Sequence, residues 1–142
     1  MRGWTGAVAV GGVLALSACS AMLSLSISGG LDRPEVTFDE GRRACVSDLS
    51  VYEKTGDAYA PLWSIEAAGR HCVMLRRVVY GQTPAGFAVK TPAAPLQAQG
   101  VYQAVGRGVT THPLMKAPWL GSVVFHFHDD QWRIVQQGAE PF

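Results

Sequence analysis

Two histidines, His126 and His128, have the spacing that most resembles a chemical site in this chain of 142 residues. Residues two positions apart on a β-strand project from the same face, and Asp129 or Asp130 would extend their ligand set for a metal ion. Val123, Phe125 and Phe127 alternate with the histidines and would lie on the opposite face, so the pair also fits a solvated polar face near the end of a hairpin. Because one strand supplies only two ligands, we predict no metal site here, and a metal-dependent envelope hydrolase stays the alternative.

The sequence lacks the motifs of nucleophilic catalysis and of nucleotide binding. No Gly-x-Ser-x-Gly elbow occurs, and Gly81 and Gly86 lack the Lys and Ser or Thr of a phosphate loop. Gly106 and Gly108 lack the rest of a dinucleotide fingerprint. No carboxyl group is singled out for acid and base chemistry. We therefore expect a protein that is not an enzyme and that has no cofactor.

The N-terminus carries the clearest functional signal. Arg2 precedes an uncharged, mostly apolar run over residues 5–16, and residues 16–19 read Leu-Ser-Ala-Cys. This order is typical of a secretory signal peptide. The four residues that end in Cys19 resemble the lipobox of bacterial lipoprotein precursors. The resemblance implies that Cys19 is acylated, usually with palmitate among its fatty acids, and that cleavage before it removes residues 1–18.

The same resemblance implies a cellular location. Ser20, rather than Asp, follows the cysteine, which in lipoproteins of two-membrane bacteria implies an outer-membrane anchor facing the periplasm. Residues 19–34 are then expected to form a lipidated N-terminus and a linker rich in Gly, Ser and Pro. Two alternatives stay open: an ordinary secretory signal in which Cys19 is incidental, and a single uncleaved membrane helix over residues 5–28.

Composition limits the partners. After Arg2 leaves with the signal, 11 of the 12 basic residues remain against 11 acidic ones. Nucleic acid needs a basic stripe to replace the counterions of its phosphates, so we expect no nucleic-acid partner. Neutral composition also predicts no polybasic patch for anionic lipid. The expected partners are the membrane, through the acyl chains, and an envelope protein or small ligand whose identity the sequence does not give.

The other two cysteines, Cys45 and Cys72, predict a disulfide. An even pair of cysteines in an exported protein usually forms a bridge. Two free buried thiols are the alternative, since the spacing fits neither a zinc site nor Cys-x-x-Cys. The predicted bridge closes a long loop within residues 35–142.

Short apolar runs separated by turn residues predict an all-β domain over residues 35–142. Strands recurring every 8 to 12 residues are typical of a compact antiparallel β-sandwich, immunoglobulin-like in general architecture. Residues 62–80 could be drawn on a helix, but Gly69 and several β-branched residues favour strands. Residues 129–131 read as a hairpin turn after the histidine segment, and Gly106 and Gly108 suggest a bulge or a close backbone approach.

A second resemblance covers most of this domain. The segments Pro-Leu-Trp-Ser-Ile-Glu at 61–66, Pro-Ala-Gly-Phe at 84–87 and Gly-Val-Tyr at 100–102 resemble small proteobacterial lipoproteins. Because these are turn and core residue types, the resemblance implies a shared fold and no activity.

Three aromatic side chains near loops or glycines, Phe87, Tyr102 and Trp119, are expected to be partly exposed and to form a possible binding patch. The anchor, together with a neutral β domain that lacks a catalytic constellation, predicts a lipid-anchored envelope protein that acts as a non-enzymatic binding or accessory module.

Overall fold

Strands make up nearly all the regular structure of the described residues, 21–69, 71–114 and 116–138, in the computed structural model. Within them lie eleven strands and one short 3₁₀ turn, Asp39–Gly41. The strands are β1 (Ala21–Met22), β2 (Leu25–Ser28), β3 (Glu35–Phe38), β4 (Ala44–Thr55), β5 (Ala58–Ala67), β6 (Val73–Leu75), β7 (Arg77–Val79), β8 (Phe87–Thr91), β9 (Val101–Val109), β10 (Pro118–His128) and β11 (Gln131–Gln137). The predicted all-β class is confirmed, and residues 62–80 form strands.

Two sheets pack as a sandwich-like fold. The larger sheet has the order β1-β10-β9-β4-β5-β8, with β11 also paired to β10 and β6 also paired to β4. The smaller sheet has the order β2-β3-β7. Neighbouring strands are antiparallel except for the two-residue β1, which runs parallel to β10.

The chain passes from the larger sheet into the smaller one at two corners. Strand β1 continues through Leu23, whose backbone N–H donates to the Leu120 carbonyl, into β2. Strand β6 continues through Arg76 into β7. Because β1 pairs with β10 and β6 pairs with β4, these corners close a ring of hydrogen-bonded neighbours through the smaller sheet.

Alternating apolar positions fill the space between the sheets. On the inner face of the larger sheet, Leu49 and Val51 of β4 pair with Ile65 and Trp63 of β5, respectively, and all four are at most 1% exposed. Each apolar residue is followed by a polar or small one on the opposite face, as a half-buried strand requires. The core includes Leu25, Val36, Phe38, Val46, Ala104, Val123, Phe125 and Trp132.

The predicted hairpin turn after the histidine segment is confirmed, because Asp129 and Asp130 join β10 to β11. Both aspartates have positive φ, 51° and 59°, which is the backbone of a two-residue hairpin turn. A second two-residue turn, Gly56 and Asp57, joins β4 to β5.

The prediction that residues 19–34 form a linker is wrong for the part that the structure describes. Residues 21–28 contribute β1 and β2, and Leu25 and Ile27 are buried in the core. The reason is visible in the run Leu-Ser-Leu-Ser-Ile-Ser over residues 23–28, whose strict alternation is that of a half-buried strand. The domain therefore includes residues 21–34 besides those from 35 onward.

The alternative of a membrane helix over residues 5–28 is wrong at its C-terminal end for the same reason, because residues 21–28 are strands. In the described part of the chain, no helix has the length and apolar character needed to cross a bilayer. Cys19, the predicted signal residues 1–18 and the rest of that alternative lie outside the described residues.

The predicted disulfide between Cys45 and Cys72 is confirmed, with Cα atoms 5.2 Å apart. Cys45 lies at the start of β4, and Cys72 immediately precedes β6, which pairs with β4. The bridge therefore fixes one of the two corners at which the chain changes sheets.

Candidate functional site

The outer face of the larger sheet carries a group of charged side chains on four adjacent strands. We call Asp48, Glu66, Lys90 and Arg107 the polar face; three serines, Ser47, Ser50 and Ser64, lie among them. Each charged residue comes from a different strand: β4, β5, β8 and β9, respectively. The inward neighbours of these positions are core residues, so burial of the apolar side forces the polar side chains outward.

Register brings the charges together. Asp48 lies directly opposite Glu66 on one side and opposite Arg107 on the other. Lys90 Nζ is 3.1 Å from Glu66 Oε1, and Arg107 Nη1 is 3.8 Å from Asp48 Oδ1. Like charges directly opposite each other in a sheet repel, and here each carboxylate has its own cation. The polar face is therefore balanced in charge.

Asp48 is the least exposed of the four, with 33% of its side chain accessible. Burial raises the pKa of this carboxyl group above its ordinary value of 3.8, the Arg107 guanidinium opposes the rise, and Glu66 adds to it. The other three side chains are 45–59% exposed. A ligand would therefore meet both signs of charge without a large rearrangement.

Hydroxyl groups complete this surface. Ser64 Oγ donates to Thr91 Oγ1 at 3.1 Å, and Ser47 Oγ donates to the His71 carbonyl at 2.7 Å. The shallow depression that these residues line has a volume of about 450 Å³. Charged and hydroxyl groups on an open, rigid sheet suit recognition of a polar or zwitterionic ligand or of a partner protein's charged surface.

The predicted aromatic binding patch is wrong. Phe87, Tyr102 and Trp119 are 8%, 1% and 2% exposed, and all three belong to the core. Trp119 lies against the bare backbone of Gly106 and Gly108, where no Cβ blocks it, and its indole N–H donates to the Cys45 carbonyl at 2.9 Å. Tyr102 packs between Phe125 and Trp132. Nearby glycines make room for the rings of Tyr102 and Trp119 instead of exposing them.

The histidine pair lies where the alternation predicts. The rings of His126 and His128 are stacked with centroids 6.0 Å apart, and His128 Nε2 is 3.3 Å from Asp129 Oδ2. His126 is half-buried and His128 is exposed. Within residues 21–69, 71–114 and 116–138, no three His, Cys, Asp or Glu side chains are grouped so that they could hold a metal ion.

Sequence reasoning missed the polar face as a unit. The outward positions of β4 and β5 are visible as polar residues alternating with apolar ones. The contributions of β8 and β9 are not, because Lys90 and Arg107 meet Glu66 and Asp48 only through strand pairing between distant segments. To find this face from the sequence, one would have to predict that β4 pairs with β5 and β9, that β5 pairs with β8, and the register of each pairing.

Comparison with known proteins adds no assignment to the polar face or to the histidine pair. The chain matches no protein-family model, no curated protein and no solved structure.

Proposed function

We propose that this chain is a lipid-anchored cell-envelope protein, attached to the outer membrane through acyl chains on Cys19 and facing the periplasm. The observation that carries the proposal is the lipobox-like sequence at residues 16–19 after a basic and then apolar N-terminus. Two or three acyl chains hold a protein durably on a membrane, whereas a single chain binds only reversibly.

The Cys45–Cys72 disulfide supports export. Disulfides persist in oxidising compartments such as the periplasm and are rare in the cytosol. The bridge links the start of β4 to the residue that precedes β6, so it is part of the folded domain, as expected for an exported protein.

We propose further that the domain is a binding or accessory module whose contact surface is the polar face. The four charged side chains are accessible, they are held on paired strands, and each carboxylate is matched by a cation. This arrangement favours recognition over acid and base catalysis, because each carboxylate is already paired with a cation and the depression is shallow.

The anchor is tested by metabolic labelling with palmitate in a two-membrane bacterium that expresses the full chain. Wild type and Ser20→Ala should incorporate label and fractionate with the outer membrane, whereas Cys19→Ala should do neither. Mass spectrometry of the purified protein should show a mature chain that begins at acylated Cys19. A mature N-terminus elsewhere, or a chain without lipid, would contradict the proposal.

The contact surface is tested by capture from envelope extract with the lipidated protein as bait. A specific partner should be retained by wild type and by Arg133→Gln, which removes an exposed cation outside the polar face. The same partner should be lost with the double variant Glu66→Gln, Arg107→Gln. Equal retention by all three baits would place the contact elsewhere and contradict this part of the proposal.

A further inference from the structure

The parallel pairing of β1 with β10 fixes which end of the domain carries Ala21, the first described residue. Ala21 pairs with Trp119, and both strands run in the same direction. Ala21 therefore lies at the end of the domain that carries the loop between β9 and β10. Cys19 precedes Ala21 by two residues, which span at most about 7 Å.

This end of the domain, which we call the anchor end, consists of that loop, the segment after the 3₁₀ turn, and the disulfide. Val109, the last residue of β9, pairs with Cys45 at the start of β4, so the β9–β10 loop, Arg42, Arg43 and Cys72 are grouped here. Arg43 and His112 line one depression of about 420 Å³ beside Trp119.

Three exposed apolar side chains lie at the anchor end. Leu114, in the β9–β10 loop, is 87% exposed, and Met22 on β1 is 67% exposed. Met74, paired with Cys45, is 38% exposed. Single exposed apolar residues are normal on a protein surface, but half of the six large ones among the described residues lie at this end.

Charge differs between the two ends. Exposed Arg42, Arg43 and Lys116 lie at the anchor end, where they exceed Asp39 and Glu40 by one positive charge. The hairpin tips at the opposite end carry exposed Asp57, Asp129 and Asp130 against exposed Lys54 and Arg133, which leaves one negative charge. The two ends therefore differ by two formal charges, in the sense that favours the anchor end at an anionic lipid surface.

We propose that the anchored protein rests on the phospholipid surface by its anchor end, with Leu114 inserted at the level of the headgroups and upper acyl chains. This inference rests on the proposed lipidation of Cys19. It follows from the short connection: residues 21–28 are strands of the domain, so there is no long linker that would let the domain turn freely. The polar face, on the side of the larger sheet, then stays accessible to a partner in the periplasm.

A depth measurement tests this orientation. In the lipidated protein Cys19 is a thioether and Cys45–Cys72 is a disulfide, so Leu114→Cys introduces the one thiol that a fluorescent label can modify. Asp57→Cys, at the tip between β4 and β5, is the matched control, about 33 Å away along β4. Both native side chains are exposed, so neither substitution disturbs the core.

The labelled, full-length lipoproteins are reconstituted into vesicles of phosphatidylethanolamine and phosphatidylglycerol that carry nitroxide groups on the upper acyl chains. Both should float with the vesicles, and the label at 114 should be quenched about threefold more than the label at 57. Equal quenching in floating protein would overturn the orientation and leave the anchor intact. A label at 114 that is shielded from an aqueous quencher but not quenched by the lipid would indicate contact with a second copy of the chain and would also overturn it. Protein that does not float and carries no acyl group would refute the anchor and the orientation together.

Discussion

The pKa of Asp48 depends on the groups that surround its carboxyl group. Its carboxyl group is partly desolvated, with Arg107 on one neighbouring strand and Glu66 on the other, and its pKa is raised. The folded protein therefore holds this proton more tightly than the unfolded chain does. Stability from this group is greatest below pH 3.8 and is lost as the pH rises through the raised pKa.

We predict that Asp48→Asn is more stable than wild type near pH 7. The gain in the free energy of unfolding should be less than about 1 kcal/mol, because solvent screens a carboxyl group that is one-third exposed. It should shrink toward zero below about pH 4, where the wild-type carboxyl group is protonated. Urea unfolding at several pH values measures this, with Asp57→Asn as a control for removing one carboxylate. A constant difference at all pH values would contradict the prediction.

Gln103 is a second residue whose surroundings affect the stability of the folded protein. Its side chain is fully buried, and neither its amide nitrogen nor its amide oxygen has a hydrogen-bond partner. An unsatisfied buried polar group costs about 1–3 kcal/mol. Gln103→Met keeps the volume and removes the polar atoms, so it should raise the free energy of unfolding by about 1–2 kcal/mol. Thermal or urea denaturation checks this, and a loss of stability would show that the amide forms stabilising hydrogen bonds in solution.

At the scale of strands, β9 and β10 fit together because β9 has glycines where β10 places a large indole. Trp119 on β10 lies over Gly106 and Gly108 on β9, and a Cβ at Gly108 would collide with the Cys45 carbonyl oxygen and lie 2.5 Å from Trp119 Nε1. The predicted close backbone approach is therefore confirmed at Gly108, whereas Gly106 makes room for the side chains of Trp119 and Phe38. The two glycines together explain the burial of Trp119.

Gly108→Ala should therefore destabilise the protein by about 3 kcal/mol or more, because neither the backbone carbonyl nor the packed indole can move easily. Gly30→Ala is the control, since nothing lies within 4 Å of a Cβ at that position. The midpoints of urea unfolding and the tryptophan fluorescence of both variants measure the effect. Similar midpoints for the two variants would contradict the packing that we describe.

Strands β1 and β2 show how an element can be misread. Residues 23–28 are apolar at every second position, which is a strand pattern, yet they come soon after the apolar N-terminal run and resemble its continuation. The number of apolar residues favours a continuation of that run, whereas their spacing favours a strand. The structure follows the spacing, because pairing of β2 with β3 buries Leu25 and Ile27.

For the whole molecule, the disulfide stabilises the ring formed by the two sheets. Cys45 and Cys72 are 27 residues apart, and closing a loop of that length lowers the entropy of the unfolded chain. Replacing both residues by Ala should lower the free energy of unfolding by about 3 kcal/mol. Urea unfolding of the oxidised wild type, the reduced wild type and the double variant measures this. The last two should agree, and a double variant as stable as the oxidised protein would contradict the prediction.

The sequence alone determined the all-β class, the faces of the main strands, the hairpin turns and the disulfide pair. These features follow from local rules: alternation, turn chemistry and the pairing of the two cysteines that remain after the lipobox. It also predicted the position of His126 and His128 on an outward face.

Only the tertiary structure decided which distant groups meet. Burial of Phe87, Tyr102 and Trp119 depends on what packs across from them, and local sequence does not contain that information. The polar face exists because four strands from separate parts of the chain share one register. Likewise, charges that balance in the composition are distributed unevenly between the two ends of the fold, because folding sorts charges by position and composition only counts them.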